Sequence, residues 1–127
     1  MQDRFLFEYA VIRVMPRVER EEFINVGIIL YCAKKKFLQS VFELDFQKLA
    51  AFSPKIDMGE LQANLIAFEK ISKGENGSGP IGQYDQPSRF RWLTATRSTV
   101  VQCSKVHPGL CIDPHSTLLK LQQELVL

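Results

Sequence analysis

Phe5-Leu6-Phe7-Glu8-Tyr9-Ala10-Val11-Ile12-Arg13-Val14 is the stretch on which the fold turns. Successive side chains of a strand point to opposite faces, so Phe5, Phe7, Tyr9 and Val11 share one face while Leu6, Ala10, Ile12 and Val14 share the other. Apolar residues on both faces predict a central strand covered on each side. Pro16 ends it. Beyond the charged run Glu19-Arg20-Glu21-Glu22, a second strand is predicted from about Ile24 to Cys32. Its even positions Ile24, Val26, Ile28, Leu30 and Cys32 are all apolar and read as one core face. Lys34-Lys35-Lys36 reads as a solvated turn, and Phe37 to Leu44 returns as a third strand. Strands joined this closely favour an antiparallel meander.

Helical signals follow. Asp45 to Phe52 fits a short helix that stops before Pro54. A longer one starts at Asp57, whose carboxylate is placed to accept backbone N–H bonds, with Glu60 three residues on. Met58, Leu61, Leu65 and Phe68 recur at helical spacing, Lys70 and Lys73 suit the negative end of the dipole, and Gly74 suits a left-handed cap. Residues 74–88 hold four of the chain's seven glycines and read as a flexible Gly/Pro-rich loop. Arg89 to Ala95 fits a short helix or an irregular segment. Thr99 to Cys103 reads as a strand and Val106 to Ile112 as extended chain. The last element is a helix capped by Asp113, with Pro114 in its first turn and Leu118, Leu121 and Leu125 on one face. The expected fold is α+β, a single domain over residues 1–127, with an antiparallel sheet of three to five strands and two or three helices packed on it.

The 127 residues are 46% apolar, with 16 basic and 14 acidic side chains. That is enough to build a core without metal or disulfide, and too apolar for a disordered chain. The longest apolar run, Val26 to Ala33, falls far short of the ~20 residues a helix needs to cross a bilayer. Charges at Asp3, Arg4 and Glu8 break any signal-peptide core, and the three cysteines are odd in number. The expectation is a cytoplasmic protein with free thiols and no membrane association.

Four patterns bear on chemistry. Gly77-Ser-Gly-Pro-Ile-Gly82 is formally G-x-G-x-x-G, but a helix precedes it and no helix start follows directly, so it reads as loop and implies no cofactor. Cys103, His107, Cys111 and His115 are spaced by four, a string of zinc-type donors. Pro108, Gly109 and Pro114 exclude one helix carrying all four, so the expected metal content is none. From Gln86 to Ile112 there is no acidic residue, while Arg89, Arg91, Arg97 and Lys105 fall there with Trp92, Ser98 and Thr99. Guanidinium forks and hydroxyls are the groups that recognise phosphate or carboxylate, and an indole beside them stacks on a base or an arginine. The competing reading makes Phe90, Trp92 and Leu93 core anchors and pairs the arginines with Glu19, Glu21 and Glu22. Arg13, Arg17, Arg20, Glu21, Glu22 and Asn25 form a second polar cluster, Arg13 expected to be part-buried and paired. Gly27 signals a bulge or a close backbone approach.

Two stretches resemble a known family. Tyr9-Ala-Val-Ile-Arg13 with Arg20-Glu-Glu-Phe-Ile-Asn-Val-Gly-Ile-Ile-Leu30 is similar to the opening of a bacterial family catalogued as domain of unknown function 3037. Ser88-Arg-Phe-Arg-Trp-Leu-Thr-Ala-Thr-Arg-Ser-Thr-Val100, Val106-His-Pro-Gly-Leu110 and Asp113-Pro114 resemble its second signature. The resemblance implies a small bacterial protein without an assigned activity, and a partner resembling the HipA kinase encoded beside it. It makes Arg13, Arg20, Glu21, Asn25, Arg89, Arg91, Arg97, Ser98, Thr99 and His107 the polar members of a signature. The leading expectation is a non-enzymatic binding or regulatory module with an anion or partner site built from these residues and Trp92. The alternatives are a small enzyme acting on a phosphate-bearing or nucleic-acid substrate with His107 as acid/base, and a nucleic-acid-binding protein reading phosphates through residues 86–112.

Overall fold

The computed structural model describes residues 3–95 and 99–127. Among them run β1 (Phe5–Val14), β2 (Ile24–Cys32), β3 (Phe37–Phe42), α1 (Phe46–Phe52), α2 (Met58–Lys73), α3 (Gln86–Thr94), β4 (Val101–Cys103), β5 (His107–Cys111) and α4 (Pro114–Leu125). The fold is α+β, as the patterning predicts, with four helices where two or three were expected. The extra one is α3, where the residues left a choice between helix and irregular chain. Asp85 decides it: its carboxylate accepts the Ser88 N–H at 2.9 Å and starts the helix.

β1, β2 and β3 make the expected antiparallel meander, in the order β3-β2-β1. The far side of β1 is shared. β5 pairs with its first half, Phe5 to Tyr9, and β4 with its end, Ile12 to Val14. Ser104 fills the gap between them: its Oγ accepts the Val11 N–H and its own N–H reaches the Val11 carbonyl, both at 2.8 Å. No backbone group of the central strand is left unpaired at the break.

Both faces of β1 are covered. Ala10, Ile12 and Val14 pack with Val26, Ile29 and Leu38 against Leu49 of α1, Leu61, Leu65 and Phe68 of α2, and Phe90 and Leu93 of α3. Phe7 and Val11 pack with Ile28, Leu30, Cys32 and Cys111 against Leu118 of α4. Each fully buried aliphatic side chain contributes about 1.5–3 kcal/mol through burial. Two well-filled layers therefore hold the sheet.

The even positions of β2 do not share one face. Ile12 stands opposite Gly27 but Arg13 opposite Asn25, so Val26 is the extra residue of a bulge. Ile24 and Val26 turn to the α1–α3 side, whereas Ile28, Leu30 and Cys32 face α4. Gly27 beside the bulge also lies against β3. A Cβ there would run into the Val41 carbonyl oxygen and come within 3.0 Å of the Phe42 Cβ. Both readings of Gly27 hold.

The caps fall where the residues place them. Asp57 accepts the Glu60 N–H at 3.0 Å, and Gly74, at φ +67°, closes α2. Asp113 accepts the Ser116 hydroxyl at 2.6 Å ahead of Pro114. Within residues 74–88, Ile81–Gln83 makes a 3-10 turn and Gln86 to Ser88 already belong to α3. The G-x-G-x-x-G string thus lies between two helices. No helix among the described residues is long and apolar enough to cross a membrane.

Candidate functional site

The polar residues singled out by the sequence fall in three places. The first is the β1–β2 connection. Arg17 pairs with Glu19 at 2.8 Å and Arg20 with Glu22, all four side chains more than half exposed. Backbone hydrogen bonding and Arg17 hold the Glu19 carboxyl below its ordinary value. Glu21 turns the chain at φ 56°, exposed to solvent. Arg13 is part-buried, as expected, but no carboxylate pairs with it among the described residues. Its guanidinium lies 3.9 Å above the Phe23 ring, and burial lowers its pKa. Asn25 donates from Nδ2 to the Leu125 carbonyl at 3.2 Å, tying β2 to the end of α4.

The second place is the corner between α2 and α3. Arg89 is only 9% exposed. Its Nη1 donates to the Tyr84 carbonyl at 2.6 Å, and its Cζ stands 3.0 Å from where a Gly74 Cβ would be. The charge therefore sits at the carboxyl end of α2, where the helix dipole and free carbonyls favour a cation. Arg89 is a fastener of residues 75–84, and its fork is turned away from solvent. It pairs with none of Glu19, Glu21 and Glu22. Arg91 and Trp92, by contrast, are exposed on α3, Trp92 at 40%. Arg97 and Ser98 lie outside the described residues. Thr99 is exposed and its hydroxyl donates to the Val101 carbonyl at 2.7 Å.

The third place is β5. His107 stands opposite Tyr9 with ring centroids 5.3 Å apart, which puts it on the α4 side of the sheet. Arg89, Arg91 and Trp92 belong to α3 on the other side, so the sheet separates them from His107. The described residues do not bring Arg13, Arg89, Arg91 and His107 around one ligand.

Nor do the four zinc-type donors converge. Cys103 Sγ approaches the Leu93 carbonyl at 3.5 Å on the helix-rich side. Cys111 is buried beneath α4, and His115 stands in the first turn of α4 with its ring edge-on to Phe37. Among the described residues no three His, Cys, Asp or Glu side chains gather as a metal site. Burial, with Cys32 beside it, pushes the Cys111 thiol up and keeps it protonated.

What the structure does assemble at Trp92 is an apolar groove of about 350 Å³ between α2, α3 and β4. Ala67, Phe68 and Ile71 form one wall, Trp92 and Leu93 another, and Val101 with Cys103 the third. Asn64, Thr99 and Gln102 supply the polar rim. Of these, the residues alone point to Trp92, Thr99 and Cys103 for other reasons, and to Phe68 and Leu93 only as core positions. The signal for the rest is faint: Ala67 and Ile71 widen the apolar stripe of α2 beyond Leu61, Leu65 and Phe68, so one flank of the helix outgrows its core contact.

Fold and groove together define an α+β protein whose five-stranded sheet lies between helices and whose exposed tryptophan borders an apolar groove. Residues 9–126 match the family described as "Protein of unknown function (DUF3037)", and the chain belongs to that family. No curated protein and no solved structure matches it.

Proposed function

We infer that this chain is a non-catalytic binding module whose groove beside Trp92 receives an apolar segment of a protein partner. The observation that carries the reading is the exposed indole at the edge of an apolar groove with polar groups at its rim. Large aromatic side chains in such settings dominate binding energy because they bury much area at small entropic cost. The partner segment bears acidic residues beside its apolar anchor, since Arg91 adjoins Trp92 on the exposed face of α3 and residues 86–112 contain no acid. A kinase resembling HipA, the partner implied by the family resemblance, is the first to test.

Trp92 is the chain's single tryptophan and reports on its own site. Titration with the partner is expected to shift and enhance Trp92 emission to saturation. Trp92→Ala should weaken the complex by ~2 kcal/mol or more, about 30-fold, without loss of circular-dichroism signal. Saturable binding that leaves Trp92 emission unmoved and is unchanged in Trp92→Ala would place the contact elsewhere and overturn the reading.

A further inference from the structure

The two edges of the sheet are finished differently. On one side the edge is divided between β4, three residues long, and β5, which carries Pro108 and Gly109. Short strands and proline both blunt an edge against pairing with another chain. On the other side β3 runs Phe37-Leu38-Gln39-Ser40-Val41-Phe42, with no charge and no proline, in unbroken register with β2. Among the described residues, the backbone from Phe37 to Phe42 makes no hydrogen bond outside the β2 ladder; the nearest is at Lys36, whose carbonyl accepts Gln86 Nε2 at 2.8 Å. An uncharged edge of this length is a template for another strand.

The charges at its two ends say which strand. Lys34, Lys35 and Lys36 precede β3, and Glu43 and Asp45 follow it, all exposed. Laid antiparallel against a second β3, the lysine end of each copy meets the carboxylate end of the other, twice over. Such a pair is isologous, as a two-fold dimer requires. A two-fold axis normal to the sheet also keeps each helical layer on its own side. An exposed apolar residue accompanies this edge on the α4 side. Leu119, 49% exposed, lies on α4 between His115, whose ring meets Phe37, and Gln122, which reaches the Val26 carbonyl.

We propose that β3 is a homodimer interface through which two copies of this chain join their sheets edge to edge. The interface lies at the opposite edge from the Trp92 groove and stands independently of what that groove binds. Sedimentation velocity and light scattering across a micromolar dilution series read it directly. The mass is expected to rise toward twice 14.6 kDa with concentration. Lys36→Glu and Glu43→Lys each create two like-charged junctions per dimer and should raise the dissociation constant about tenfold. Mixed in equal amounts, the two variants restore both junctions and should re-form a heterodimer of wild-type affinity. That rescue excludes misfolding as the cause of the loss. A chain monomeric throughout the series overturns the proposal. So does a dimer indifferent to both reversals, or a mixture that dissociates as readily as its components.

Discussion

Two arginine-rich regions of this chain look alike as residues and differ as structure. At the β1–β2 connection Arg17 and Arg20 pair with Glu19 and Glu22 in full view of solvent. At the α2–α3 corner Arg89 is buried, donates to the Tyr84 carbonyl and packs on Gly74. The first pairs compete with water at every atom, and long side chains lose entropy to hold them. The second is shut away from water and held by one bond to the Tyr84 carbonyl, its Nε buried without a partner among the described residues, so its loss removes that bond and leaves a void behind residues 75–84. Charge in a sequence thus says little about energetic weight; the surroundings assign it.

The sharpest way to break the comparison is to remove Arg89. Arg89→Ala is expected to cost ~2–4 kcal/mol, the range for losing a buried charged hydrogen bond with its packing, seen as a fall in Tm of about 10 °C. Arg89→Met keeps much of the packing without the charge and should recover part of the loss. A Tm unchanged in both would show that the corner holds without its arginine.

Gly74→Ala attacks the same corner from the other side. The residue sits at φ +67°, where a Cβ costs about 1–2 kcal/mol, and that Cβ would press on the Arg89 guanidinium at 3.0 Å. The expected loss is slightly larger than for a solvent-exposed helix cap. In an Arg89→Ala background the steric part should vanish, leaving only the backbone cost; a double-mutant cycle measures the difference. Strict additivity would contradict the contact.

The acid limb of stability compares the caps. Hydrogen bonds from Ser88, reinforced by Arg91 and Arg89, hold the Asp85 carboxyl below the ordinary aspartate value, and bonds from Ser116 do the same for Asp113. A carboxyl whose folded pKa is depressed stabilises the fold fully above its unfolded value near 4 and loses that contribution as pH falls through the folded value. Stability should therefore decline only below about pH 4, and Asp85→Asn should flatten that decline while leaving its slope above pH 5 unchanged. Urea titrations across this range decide it; an equal acid limb in Asp85→Asn would mean that other carboxyls govern it.

How much of this was legible follows from what each signal depends on. The doubly apolar pattern of Phe5 to Val14, the Asp57 and Asp113 caps and the glycine after Lys73 are local, and all appear in the structure. The face of β2 was not legible, because one extra residue at Val26 inverts the alternation and only the partner strand reveals it. The polar cluster failed as a single site for a similar reason. Linear proximity of Arg89, Arg91 and His107 carries no information about which side of a sheet each reaches. The groove at Trp92 needed α2, α3 and β4 packed against one another, and that packing leaves only the widened stripe on α2 as a trace in the sequence.

The smallest effect closes the comparison. Arg17→Ala and Arg20→Ala, singly or together, remove surface pairs whose partners stay hydrated, so Tm should move by no more than about 1–2 °C. Salt sharpens the test. Because exposed pairs are screened over a Debye length of ~8 Å at physiological ionic strength, whatever Arg17 and Arg20 contribute should fade further in high salt. The Arg89→Ala loss should persist there, since solvent ions do not reach a guanidinium enclosed by Tyr84 and Gly74. If instead the Arg17 and Arg20 variants lost as much stability as Arg89→Ala, and kept that loss in salt, the β1–β2 connection would be a structural network rather than a solvated surface. The resemblance of the two regions in sequence would then extend to their energetics.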